Sequence, residues 1–251
     1  MKKKTWMIVG IITLAVVGLI GFALVRNSNN HFRTDNHAQI FAPSEANGNI
    51  AENIDGNPDA PVKIYEYGDY QCTGCAPLNP YINQLLKEYD GKVAVVFRTT
   101  IMSYHQNGTA AAAAANAAAQ QGYWKQYKDL LYTNQNEWYY SEPTVRQQQF
   151  ERYFLKASDE KGDLEKFRTD MSSAALRKKL SFDEDLAQIA GVEFTPTCFV
   201  EDEFVDQRRP EGEEPLTANQ ILDLLRAAID KKLEAQGIST EKSKTNTENQ
   251  K

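Results

Sequence analysis

Apolar and polar positions along the chain change their rhythm several times, and each change predicts an element. Val62, Ile64, Tyr65 and Tyr67 form a β-branched and aromatic run around Lys63 and Glu66, and Val93-Ala94-Val95-Val96-Phe97 forms another, so both read as strands. Between them Leu78, Ile82, Leu85, Leu86 and Tyr89 recur at helical spacing over residues 76–89. Strand, helix, strand is the opening of an α/β sheet. Nine alanines then fill the ten positions 110–119, with Thr109 available as a cap, and Tyr123, Trp124, Tyr127, Leu130 and Leu131 continue the helical period. Helical patterns over 145–155, 163–176 and 181–190 extend this into an all-helical block at about 103–190. Strands return at Cys198-Phe199-Val200 and Glu203-Phe204-Val205 as a hairpin. Thr217 then caps a helix carrying Ile221, Leu224, Leu225, Ile229 and Leu233. The predicted order is βαβ, helical insertion, ββα.

The ends differ from this body. Residues 6–25 contain no charge and no proline, which at 1.5 Å per residue is about 30 Å of helix, enough to span a bilayer. Lys2, Lys3 and Lys4 in the basic end 1–5 precede it, so the positive-inside bias keeps that end in the cytoplasm and the bulk outside. A cleaved signal peptide is the alternative, although the small residues around Gly21 and Ala23 make a weak cleavage site. Either way the remainder is exported to where a disulfide persists. Residues 26–57, rich in Asn, Asp, Ser and Gly, read as a flexible tether, and 237–251 as a disordered tail, leaving a folded domain at 58–236.

Charge narrows the functions. Twenty-eight basic against thirty-four acidic side chains give −6, and without the three amino-terminal lysines the rest carries −9. Clustered positive charge for nucleic acid is missing. The chain is 41 % hydrophobic and 25 % charged, which excludes collagen-like and wholly disordered readings. Three cysteines are too few for a stapled framework, but two stand three apart, which points to chemistry.

Cys72-Thr73-Gly74-Cys75 follows the first strand and opens the first helix, whose unpaired N–H groups and positive dipole end favour a thiolate at Cys72. Half of a zinc site is the competing reading. The other cysteine and the histidines (Cys198, His31, His37 and His105) stand at no zinc-motif spacing, so no metal is expected. Glu66, six before Cys72, points inward beneath the dithiol if the strand alternates as predicted, where burial would raise its pKa and suit it to relay the Cys75 proton; a solvent-facing register is the alternative. Pro196 in Thr195-Pro196-Thr197 begins a strand, where an X-Pro bond is able to be cis. Cys198 shares the predicted face of Pro196 and is either a buried inert thiol or a third redox cysteine. His105 reads as a turn or capping residue, or as a group that steadies a thiolate. The acidic residues from Glu201 to Glu214 read as a solvated hairpin and loop.

Glu66-Tyr67-Gly68-Asp69-Tyr70-Gln71, the Cys72-x-x-Cys75 pair, a helical insertion with Gln121-Gly122-Tyr123-Trp124 and Asn134-Gln135-Asn136-Glu137-Trp138, and Thr195-Pro196-Thr197 together resemble the thioredoxin superfamily. The insertion is similar to that of its DsbA-like branch of exported thiol–disulfide oxidoreductases, and the likeness covers about residues 55–233. The resemblance implies Cys72 as nucleophile, Cys75 as resolving cysteine, Glu66 as proton relay and Pro196 as a cis-proline facing the dithiol. It also implies that Thr195, with Thr73 and Gly74, contacts an extended substrate segment. No cofactor beyond the redox-active disulfide is implied. Implied partners are reduced or unfolded exported proteins and a DsbB-like or VKOR-like membrane protein that reoxidises the pair. Thr73 and Gly74 depart from the proline and histidine common between the cysteines, and this dipeptide tunes the potential. Disulfide formation is thus expected, with a reductase or isomerase, or a peptide-binding chaperone module, as alternatives.

Overall fold

The computed structural model describes residues 36–209 and 212–243. Five strands form one sheet: β1 (Asn53–Gly56), β2 (Val62–Gly68), β3 (Val93–Thr99), β4 (Thr197–Val200) and β5 (Glu203–Phe204), in the spatial order β1-β3-β2-β4-β5. β2 and β3 are parallel and every other pairing is antiparallel. Helix α1 (Cys75–Tyr89) is the crossover that a parallel pair needs. The expected insertion follows β3 as α2 (Gly108–Ala119), α3 (Trp124–Thr133), α4 (Gln135–Trp138), α5 (Pro143–Ala157), α6 (Leu164–Met171) and α7 (Ala174–Ile189). Helix α8 (Ala218–Ala235) closes the fold behind a capping box between Thr217 and Gln220.

Register assigns the faces. Glu66 lies opposite Phe97 on one side and Cys198 on the other, and Ile64 opposite Val95 and Val200, so these residues share one face. On that face Leu78, Ile82, Leu85 and Tyr89 of α1 meet Ile221, Leu225, Ile229 and Leu233 of α8. A second core cluster joins Tyr70, Phe97 and Cys75 to the alanines of α2 and to Trp124, Tyr127, Leu131 and Trp138. The alternate face of the sheet carries Tyr65, Tyr67 and Arg98.

Several boundaries differ from the pattern reading. The stretch 163–176 is not one helix. Ser173 accepts a hydrogen bond from Leu176 N–H and starts α7 afresh, while Asp163 caps α6 through Lys166 N–H. The alanine helix begins at Gly108, leaving Thr109 inside its first turn.

The tether expected at 26–57 is ordered wherever it is described. β1 pairs with β3, Asn53 Nδ2 donates to Asn116 Oδ1 of α2 at 3.1 Å, and Ile50 is buried. The reason is Arg98, fully buried on β3. Its guanidinium donates to Glu52 at 3.0 and 3.2 Å, to Gln39 O at 2.7 Å and to Tyr67 Oη at 3.0 Å, and to His37 O at 2.5 Å. A polar segment thus folds by satisfying a buried cation, a need that hydrophobic patterning does not register. The boundary at 58 therefore moves to 36, the first described residue. The tail expected at 237–251 is likewise ordered at its start, where Ile238 packs on the α1–α8 cluster, Ser243 N–H donates to Glu88 O at 2.8 Å and Lys92 Nζ donates to Ser239 O and Glu241 O.

The apolar run 6–25 lies outside the described residues. Among the described residues no helix is long and apolar enough to cross a membrane.

Candidate active site

The sheet delivers the dithiol at the carboxyl end of β2, where α/β sheets concentrate their sites. Tyr70 O and Cys72 O both accept from Gln135 Nε2 of the insertion, at 2.8 and 3.0 Å. Gln71 accepts from Asn107 N–H and donates to Tyr139 O, at 2.7 and 2.9 Å. Asp69 accepts from Gln71 N–H, Met102 N–H and His105 Nδ1 at 2.8, 3.0 and 2.7 Å. The segment 69–72 is therefore held from the turn before α2, from α4 and from the residue after α4 at once. His105 is a turn residue paired with Asp69 at 2.7 Å.

The two cysteines are free thiols in different surroundings. Ala76 N–H closes a turn onto Cys72 O and the regular helix starts at Cys75, so Cys72 lies just ahead of α1. Cys72 is 8 % exposed and its pKa is lowered to about 6: the hydrogen bond from the Cys75 side chain leads, and Thr195 and the N–H groups of Cys75 and Gly74 add to it, against the burial that raises it. Cys75 is fully covered, and burial first, then Cys72 itself, hold its thiol well above the ordinary range. Their surroundings thus favour the thiolate at Cys72 and the thiol at Cys75.

Thr195 O lies 3.2 Å from Cys72 Sγ, and the Thr195–Pro196 peptide bond is cis. Gly74 packs against this proline: a Cβ there would stand 3.2 Å from Pro196 Cδ and 3.6 Å from Cys72 Sγ. Thr73 is exposed at the rim. Cys72, Gly74, Thr195 and Pro196, separated by more than 120 residues of chain, thus meet at one sulfur.

Glu66 faces inward, 2 % exposed, in the row of Phe97 and Cys198, and the solvent-facing alternative is excluded. Burial raises its pKa, Lys128 opposes that rise and Asp55 adds to it. Cys198 is fully buried and burial keeps its thiol protonated. The acidic hairpin pairs with α8, through Lys231 to Glu203 at 2.8 Å and Lys232 to Asp202 at 3.1 Å. Among the described residues no cluster of His, Cys, Asp and Glu could hold a metal.

Asp69, Gln71 and Gln135 entered the sequence analysis only within longer motif stretches and without a role, and Asn107 and Lys128 did not enter it. For four of them no local signal exists, because their role is to bond a distant backbone. Lys128 did carry one: it stands at a core position of the i, i+3, i+4, i+7 stripe Trp124, Tyr127, Lys128, Leu131.

Comparison with known proteins agrees with this geometry. A thioredoxin family model matches residues 49–230. The chain is 28 % identical over 246 residues to a Bacillus cereus protein named probable disulfide bond formation protein D, covering 93 % of this chain and 99 % of that one. It is 31 % identical over 149 residues, 59 % of its length, to the Na(+)/H(+) antiporter NhaA 3 of Salinispora tropica, of which it spans only 21 %. The crystal structure of oxidised BdbD from Bacillus subtilis superposes with a TM-score of 0.59 at 21 % identity, covering 78 % of this chain and 98 % of that one.

Proposed function

The chain belongs to the thioredoxin family, and from that premise we propose that it is an exported thiol–disulfide oxidoreductase that forms disulfides in secreted or cell-surface proteins. The observation that carries this reading is the asymmetry of the pair, with Cys72 lowered to about 6 beside Thr195 and cis-Pro196, and Cys75 buried and raised. A stabilised Cys72 thiolate favours the reduced form of the enzyme, so its disulfide is a ready oxidant. The nearly full-length likeness to a probable disulfide bond formation protein supports the same direction.

In the reaction a substrate thiolate attacks Cys72 of the Cys72–Cys75 disulfide, and the pair of electrons leaves on Cys75, which takes a proton from Glu66. Thr195 and Pro196 hold the substrate segment beside Cys72 by backbone hydrogen bonds, in the manner of an added strand. A second substrate cysteine attacks the mixed disulfide, releasing Cys72 as the thiolate that its surroundings favour. The substrate leaves oxidised by two electrons and the enzyme carries two more. A membrane protein that passes those electrons on completes the cycle, and a membrane anchor formed by residues 6–25 would keep the domain near it; this part rests on the apolar run and its flanking lysines.

Equilibration of the protein in glutathione buffers tests the direction. The expected potential lies toward the oxidising end, about −120 mV, and a value near −270 mV would make the protein a reductase. Peptide binding that survives Cys72→Ser while no exchange is found in the wild type would leave only a binding module.

A further inference from the structure

The turn that precedes Cys72 hangs on one buried carboxyl. Asp69 is fully covered, and its backbone and side chain both serve that turn: Asp69 O accepts from Cys72 N–H at 3.0 Å, and Oδ1 accepts from Gln71 N–H at 2.8 Å. The other oxygen, Oδ2, is held across the fold by Met102 N–H at 3.0 Å and by His105 Nδ1 at 2.7 Å. His105 is itself fixed in the entry turn of the insertion, where its N–H donates to Met102 O and its carbonyl accepts from Gly108 N–H at the start of α2. The Tyr104 ring packs edge-on against the imidazole, with 4.5 Å between centroids. Packing alone does not ask for a histidine here, because a phenylalanine would fill the same place beside Tyr104. It would leave the buried carboxyl with the Gln71 and Met102 N–H groups as its donors. A buried carboxyl that loses a donor needs another, and water admitted to this turn arrives one bond from Cys72. The sulfur tolerates little displacement. Thr195 O lies 3.2 Å from Cys72 Sγ, and the Cys75 side chain and the N–H groups of Gly74 and Cys75 favour its thiolate only at hydrogen-bonding distance.

We propose that His105 is a positioning residue for the exchange reaction: through Asp69 it fixes the turn that sets the Cys72 sulfur against Thr195 and the N–H groups of Gly74 and Cys75. The inference rests on the oxidoreductase reading above and deepens it. What the insertion supplies at this point is a hydrogen-bond donor at the δ position of residue 105. Asparagine carries such a donor on Nδ2 and is able to replace the histidine, whereas an apolar ring is not. With the donor lost, the turn loosens, the sulfur drifts from its partners, and the thiolate is less favoured at the pH where exchange runs.

The test follows the thiolate absorbance of the reduced full chain in detergent against pH, with chemical denaturation of the same samples as the measure of folding. His105→Phe is expected to move the Cys72 midpoint upward from about 6 by about one pH unit, whereas His105→Asn keeps it near the wild-type value. In an Asp69→Ala background, His105→Phe moves the midpoint no further, since the carboxyl it holds is gone. A His105→Phe protein that is less stable yet still titrates near 6 overturns the proposal, because a merely structural role predicts that result. Equal shifts in His105→Phe and His105→Asn, or the same further shift with Ala at 69, overturn it as well. If His105→Phe fails to fold, hydrogen exchange in the wild type decides. One common rate for the His105 Nδ1 proton and the Gln71 and Cys72 amides supports the clamp, and a ring proton that exchanges while those amides stay protected overturns it. A wild type that forms no Cys72–Cys75 disulfide with glutathione disulfide at any pH refutes the oxidoreductase reading instead, and the thiolate titration still judges His105.

Discussion

At Cys72 one residue links protonation, stability and chemistry. Its folded pKa of about 6 lies below the ordinary thiol value of 9.0, so the folded state binds the proton less tightly than the unfolded chain. The stabilisation this gives the reduced protein is fully present above the unfolded value and is lost as pH falls through about 6. Thiolate absorbance of the reduced protein should accordingly titrate with a midpoint near 6, and Cys72→Ser should abolish that transition. In denaturant melts the advantage of the reduced wild type over Cys72→Ser should be larger at pH 9 than at pH 5. Equal advantages at the two pH values would mean that the thiolate gains nothing from its Cys75, Thr195 and backbone partners. The cysteines were legible in the sequence because their spacing is itself the signal. The partners that hold the loop, Gln135 on Tyr70 O and Cys72 O and Asp69 on Met102 N–H, were not, since a hydrogen bond to a backbone 30 or 60 residues away leaves no periodicity to read.

Among the elements, the alanine helix shows what composition means in three dimensions. A tract of nine alanines resembles low-complexity sequence, and the helix form follows from propensity and from the absence of glycine between 110 and 119. In the structure Ala111, Ala112, Ala114, Ala115, Ala117 and Ala118 are fully covered, so α2 is approached closely from more than one side, by α3, α6 and α7. Leucine at Ala114 has no space to enter, and Ala114→Leu should cost about 1–3 kcal/mol by overpacking. Chemical denaturation measures this, and an unchanged midpoint would show that the neighbouring helices give way. The order of elements was readable from periodicity, but the break at Ser173 was not. The apolar spacing runs on across it, and only the serine side chain on Leu176 N–H marks the restart.

For the molecule as a whole the question is where the folded body begins. Low hydrophobicity made residues 26–57 look like a tether, yet the described part is bound to the sheet by groups that no apolar count includes. Arg98 and Glu52 are buried to 0 % and 1 % side-chain exposure, and the backbone carbonyls of His37 and Gln39 complete the guanidinium's partners. Breaking such a pair by removing one partner leaves an uncompensated buried charge, which typically costs about 3–5 kcal/mol. Glu52→Ala should therefore destabilise the protein by about that amount. A fragment starting at residue 58, which lacks both β1 and the arm, should fail to reach the stability of one starting at residue 36. Arg98 lies in the row of Tyr67, on the face of the sheet opposite Glu66, so Glu52→Ala should leave the thiolate titration of Cys72 near 6 while the melting midpoint falls. Equal stability of the two fragments would return the arm to the role of a tether. A shifted Cys72 titration in Glu52→Ala would instead mean that the two faces of the sheet are coupled, and that the arm contributes to the chemistry as well as to the fold.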